Sequence, residues 1–160
     1  SEKGLYADSR AALDMLQQAG FGPERVVLLA QSLGTGVAVQ MASEGRGSVL
    51  ILESPYTSMV DTAAFHYPLV PVRWLLWDRF DNLSKIGSIH LPLLIISGAL
   101  DNVVPQQQSR RLFDAANEPK QSLWIPDAGH NDLAEHGSQQ RVLEFLKELA
   151  EKSRHEPHSP

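Results

Sequence analysis

The chain contains no cysteine. That absence excludes disulfides, thiolate zinc sites and a cysteine nucleophile together, and it names no compartment. Positive charge is not in surplus either. Fourteen Lys and Arg stand against nineteen Asp and Glu, for a net charge of −5, so a broad basic face for nucleic acid or an anionic membrane is not expected. No apolar run approaches the roughly 18 residues of a membrane span, and no charged-then-apolar signal stretch opens the chain. Repeats and low-complexity blocks are missing. No His/Asp/Glu cluster has metal-ligand spacing. Gly34 and Gly36 are not followed by the Lys-Ser/Thr pair of a phosphate loop. Neither a metal nor a cofactor is expected.

What remains is ordinary globular material. The length of 160 residues suits one domain, and 42% hydrophobic content excludes a wholly disordered chain. Four short apolar runs stand out: Val26 to Ala30, Val49 to Leu52, Leu93 to Ile96, and Leu123 to Ile125. Each is unbroken by polar residues and bounded by turn formers, the pattern of strands buried on both faces of a parallel sheet. Helical patterns lie between them. Leu5, Ala12, Leu13 and Leu16 form one stripe that ends at Gly20. Further helices are expected over 33–41 and 109–116, and Val142, Phe145, Leu146 and Leu149 mark a last amphipathic helix. The fold class is therefore α/β, a parallel sheet of about four strands flanked by helices.

Residues 59–90 interrupt the alternation. They hold Phe65, Tyr67, Trp74, Trp77 and Phe80, broken by Pro68 and Pro71. The segment is too long for a simple crossover and reads as an inserted helical cap, with most of its aromatics filling core rather than lining a ligand wall. Residues 1–152 form the domain, and 153–160 read as a flexible tail.

The chemistry lies where strands end. Ala30-Gln31-Ser32-Leu33-Gly34 follows the first strand and opens a helix. A serine on such a turn has its oxygen lifted above the sheet, the residues two before and two after it must be small, and the helix dipole points at the same spot. The Leu33 amide is then a candidate oxyanion donor. Asp101 follows the third strand, and His130 lies in Pro126-Asp127-Ala128-Gly129-His130-Asn131-Asp132 after the fourth. Each residue has a plainer reading alone: a helix-capping serine, a turn aspartate, a loop histidine. It is their order after three successive strands that points to a Ser-His-Asp triad. His66, His90, His136, His155 and His158 are weaker candidates. Glu53 could substitute as the acid, and Asp132 reads as a turn or cap residue.

These residues resemble the α/β-hydrolase superfamily. They look most like its branch of membrane-anchored, depalmitoylase-like α/β-hydrolase domain proteins. The resemblance rests on Gly4-Leu5-Tyr6-Ala7-Asp8-Ser9, Gln31-Ser32-Leu33-Gly34, Leu52-Glu53-Ser54-Pro55-Tyr56-Thr57-Ser58, Ile96-Ser97-Gly98 with Asp101, and Gly129-His130-Asn131-Asp132. Ala30 and Thr35 depart from the glycines common in that branch. The resemblance implies Ser32 as nucleophile, His130 as general base, Asp101 as its orienter, and a lipid-like or small acyl ester or thioester as substrate. The alternative is a non-catalytic or degenerate hydrolase segment acting as an interaction module.

Ser1-Glu2-Lys3-Gly4 reads as the interior of a longer protein. The resemblance implies that the chain corresponds to the C-terminal part of the fold. The preceding strands, a loop with the first oxyanion donor and any membrane anchor would then lie outside it. Strand 26–30 would become an uncharged apolar edge, from which self-association is expected.

Overall fold

A computed structural model describes residues 1–155. The element order is α1 (Glu2–Gln18), β1 (Val27–Gln31), α2 (Gly34–Ser43), β2 (Val49–Glu53), α3 (Met59–His66), α4 (Val72–Leu75), α5 (Leu83–Ile86), β3 (Leu93–Gly98), α6 (Gln106–Ala115), β4 (Lys120–Ile125) and α7 (Ser138–His155). The four strands form one parallel sheet in the order β1-β2-β3-β4. Chain order and spatial order coincide, because each helical connection returns the chain one strand further along.

The two inner strands show why unbroken apolar runs mean two-faced burial. Leu50, Leu52, Leu93 and Ile95 face one layer with Val39, Met41 and Leu112. Ile51, Leu94 and Ile96 face the other with Leu133 and Phe145. Leu50, Ile51, Leu52, Leu94, Ile95 and Ile96 are wholly buried, each worth about 1.5–3 kcal/mol by burial. The last helical pattern holds, since Val142, Leu146 and Leu149 of α7 pack around Phe145.

The outer strands differ. β4 begins at Lys120, ahead of the apolar run, because its first residues are only half-buried and tolerate polar side chains. Lys120 uses its ammonium to donate to the carbonyl oxygens of Phe113 and Ala116. β1 is the other edge. Leu28 packs into the core beneath α2, but Val27 and Leu29, on the opposite face, are exposed.

Two expectations need correction. In α1 only Leu13 of the expected stripe packs against the core; Leu5, Ala12 and Leu16 are exposed, and Tyr6 is the buried residue. Tyr6 packs edge-on to Phe80 at 5.7 Å. In residues 59–90, three short helices stand where core-filling aromatics were expected, yet among the five aromatics only Phe80 is buried. α4 is a single turn that buries Val72 and leaves Trp74 exposed. α7 runs through His155, into the expected tail, and residues 156–160 lie outside the described residues.

Candidate functional site

The site is built at the carboxyl edge of the sheet, where open α/β folds bind ligands. β1 ends at Gln31, and Ser32 takes a left-handed backbone, φ 51°. For a residue with a Cβ this conformation costs about 1–3 kcal/mol and persists only where surroundings impose it. Here they do. The Ser32 amide donates to Glu53 O at 2.9 Å, continuing the β1–β2 ladder by one rung. The Ser32 carbonyl accepts from the Thr35 amide at 2.9 Å and from Thr35 Oγ1 at 2.7 Å. Thr35, a departure from glycine, thus supplies an extra bond to the turn. The Gly36 amide likewise turns back to Leu33 O at 3.2 Å, which leaves the Leu33 amide, at the head of α2, beside the serine.

The tightest packing falls beyond the turn itself. A methyl group at Gly34 would meet Ala30 at 3.6 Å, an ordinary contact, so Ala30 costs the turn nothing. A Cβ at Gly36 would collide with Tyr56 Oη and the Phe80 ring. Tyr56 is almost wholly buried and donates its hydroxyl to Leu33 O at 3.2 Å. Burial pushes its phenol well above the ordinary value.

Asp101 lies just past β3. Its Oδ1 accepts from the amides of Val103 and Val104 at 2.9 and 2.8 Å, which closes the loop into α6 and fixes the carboxylate plane. Its Oδ2 lies 2.8 Å from His130 Nδ1. His130 Nε2 lies 2.9 Å from Ser32 Oγ. The Asp101 carboxylate is fully buried and the imidazole nearly so. The structure therefore brings Ser32, His130 and Asp101 into one hydrogen-bonded line, from three loops that follow β1, β4 and β3.

The histidine loop is held in place from both sides. Gly129 N donates to Asp132 Oδ1 at 2.7 Å, a turn closed by Asp132. Leu100 N donates to Ala128 O at 2.9 Å. Gly98 lets the loop cross, because a Cβ there would strike the backbone of Ala128 and Gly129. Gln31 Nε2 donates to His130 O at 3.1 Å, tying the loop to the residue before the serine. The sequence pattern assigns Gln31 and Tyr56 no role at the site. Their adjacency to the elbow and to the second strand was the available signal, but each acts through a backbone carbonyl, which leaves no residue pattern.

The other candidates stand apart. Glu53 contributes its backbone carbonyl to Ser32. His66 ends α3, with Nε2 2.8 Å from Val103 O. His136 lies 3.8 Å from Asp132. His155 bonds back to Glu151 O in α7, His90 precedes β3, and His158 is outside the described residues. Among the described residues, no group of three His, Asp or Glu could hold a metal ion. No described helix is long and apolar enough to cross a membrane.

Comparison with known proteins agrees with this architecture. The chain is 44% identical over 133 residues to an uncharacterized protein of Mycobacterium tuberculosis, covering 82% of this chain and 47% of that one. It is 37% identical over 150 residues to alpha/beta hydrolase domain-containing protein 17B of Homo sapiens, covering 93% of this chain and 50% of the relative. The chain thus spans about half the length of these relatives. Among solved structures, an acetyl xylan esterase from Paenibacillus sp. R4 superposes with a TM-score of 0.73 at 18% identity, covering 89% of this chain and 51% of that one. A monoacylglycerol lipase from Paleococcus ferrophilus gives 0.64 at 16% identity, covering 92% and 76%. No protein-family model matches. The parallel sheet, its strand-to-helix elbow and these likenesses give the chain an α/β-hydrolase fold.

Proposed function

We propose that the chain is a serine hydrolase acting on carboxylic ester or thioester bonds. The observation that supports this most is the bridging position of His130, 2.9 Å from Ser32 Oγ and 2.8 Å from Asp101 Oδ2. In this reading the imidazole Nδ1–H donates to Asp101, which leaves Nε2 free to accept from the serine hydroxyl. Ser32 Oγ attacks the acyl carbonyl while Nε2 takes its proton. The tetrahedral intermediate places its oxyanion toward the Leu33 N–H at the head of α2. It collapses as His130 returns the proton to the leaving alcohol or thiol. Water, deprotonated by the same nitrogen, then releases the acid and restores Ser32.

The Asp101 carboxylate, 2.8 Å from Nδ1, orients the ring and stabilises the imidazolium that forms in both steps. Each oxyanion donor is worth about 10²–10³ in kcat, so a site served by the Leu33 amide alone turns over slowly.

Turnover of a p-nitrophenyl ester by the chain and by Ser32→Ala is the test. The reading expects hydrolysis by the first and background by the second; equal rates reject it. The uncovered β1 edge favours the second reading, a non-catalytic interaction module, which expects no turnover by either chain.

A further inference from the structure

We propose that His66 is a positioning residue for the triad, acting on Asp101 through the peptide unit that joins Val103 to Val104. This rests on the reading of Ser32, His130 and Asp101 as a catalytic set. The carbonyl of that unit, Val103 O, lies 2.8 Å from His66 Nε2. Its amide, Val104 N, donates to Asp101 Oδ1 at 2.8 Å. One planar group therefore takes a bond from the end of α3 and gives a bond to the buried carboxylate.

A carbonyl oxygen only accepts, so His66 Nε2 carries the proton of the first bond. Donation to the carbonyl polarises the peptide and makes its N–H the stronger donor. It also fixes the rotation of the peptide plane, and with it the direction in which Val104 N points. Asp101 Oδ1 takes a second bond from the Val103 amide at 2.9 Å, while Oδ2 lies 2.8 Å from His130 Nδ1. A continuous line of hydrogen bonds thus runs from His66 through the 103–104 peptide, Asp101 and His130 to Ser32.

The two ends of this line are held unequally. α3 is docked on α6 by buried groups. Thr62 Oγ1 lies 3.1 Å from Gln108 Oε1, which also accepts from the Thr57 amide at 3.2 Å, and Val60 is buried beside them. The Phe65 ring stands edge-on to the imidazole at 5.2 Å. The Asp101 loop has less support. Val104 is buried, but Asn102 and Val103 are exposed, and Pro105 has no N–H to give. His66 is therefore an outside brace, set by a firm helix, on the loop that aims the carboxylate. A side chain that merely filled this place could be replaced by any other of similar size. A positioning role needs a donor where Nε2 stands.

The test compares His66→Leu, His66→Asn and His66→Gln with the native chain. Leucine has no donor and the asparagine amide falls short of Val103 O, whereas the glutamine amide nitrogen takes the place of Nε2. His66 is exposed, so all three are expected to fold, which circular dichroism checks. Two quantities are read: the proton resonance of the imidazole N–H between His130 and Asp101, and kcat and KM for a p-nitrophenyl ester. In the leucine and asparagine variants the resonance is expected to move upfield. Their kcat should fall about three- to tenfold with KM unchanged, the worth of one hydrogen bond. His66→Gln should keep both at native values. An unmoved resonance and kcat in His66→Leu and His66→Asn overturn the proposal. So does a loss in His66→Gln equal to that in His66→Leu, which makes the residue a filler of space. The resonance requires no turnover. If Ser32→Ala hydrolyses the ester as fast as the native chain, the hydrolase reading fails, and the resonance alone still decides whether His66 holds Asp101.

Discussion

Tyr56 donates its hydroxyl to the carbonyl oxygen of Leu33, the residue that follows the strained serine, from a position almost wholly closed to water. The bond joins the segment after β2 to the head of α2, and Gly36 makes room for it. Tyr56→Phe removes the donor and leaves a half-buried carbonyl with one partner fewer. The expected loss is about 1–3 kcal/mol in chemical denaturation. Gly36→Ala forces a methyl into the Tyr56 hydroxyl and the Phe80 ring, for about 1–3 kcal/mol. Measured losses near zero for both would place the rigidity of the turn elsewhere.

Asp101→Asn tests the orientation of the imidazole. An asparagine oxygen can still accept from Val103 and Val104, so the loop is expected to hold. Its NH₂ then faces His130 Nδ1 and can only donate. That forces the tautomer with the proton on Nε2, which cannot accept from Ser32. Turnover of a p-nitrophenyl ester should fall about 10⁴-fold, with the circular dichroism spectrum unchanged.

Much of this was legible in the residues. β2 and β3 are buried on both faces, and their apolar runs mark them almost to the residue. The line of Ser32, His130 and Asp101 was legible as an ordered set because each residue lies in the connection that follows a strand. Where burial is one-sided the pattern weakens. β4 starts three residues before its apolar run, and the outward rings of 65–77 look in sequence like core. Residue type reports what a side chain would bury if covered, and does not say whether anything covers it. Gln31, Thr35 and Tyr56 were illegible for another reason, since each serves the site through a backbone carbonyl.

Acid stability should carry a trace of one surface pair. The Arg10 guanidinium donates from Nε and Nη2 to both oxygens of Glu44, joining α1 to the end of α2. That bond holds the Glu44 carboxyl at about 2, against an ordinary value of 4.5. A depressed acid contributes its stability in full above the unfolded value and loses it as pH falls toward the folded one. Glu44→Gln should therefore melt below the native chain at neutral pH, with the difference shrinking between about pH 4.5 and 2. Melting curves across that range decide it; a difference that grows on acidification has the wrong sign.

The β1 edge carries Val27 and Leu29 exposed beside unpaired backbone groups, with no charge or proline from Val27 to Gln31 to blunt it. Between this edge, α1 and α2 runs a groove of about 520 Å³ lined by Leu13, Leu16, Val37 and Met41 among others. The chain is expected to self-associate in sedimentation velocity, and Leu29→Lys to raise the monomer share. A native chain that stays monomeric at all concentrations contradicts this.

The most direct measurement is covalent. The chain is incubated with a fluorophosphonate, which phosphonylates a serine only where a neighbouring base removes its proton, and the adduct is located by fragment mass spectrometry. One phosphonyl group on Ser32, lost in His130→Gln, is the predicted result. An adduct on any other serine, or labelling of Ser32 that survives His130→Gln undiminished, would contradict the account.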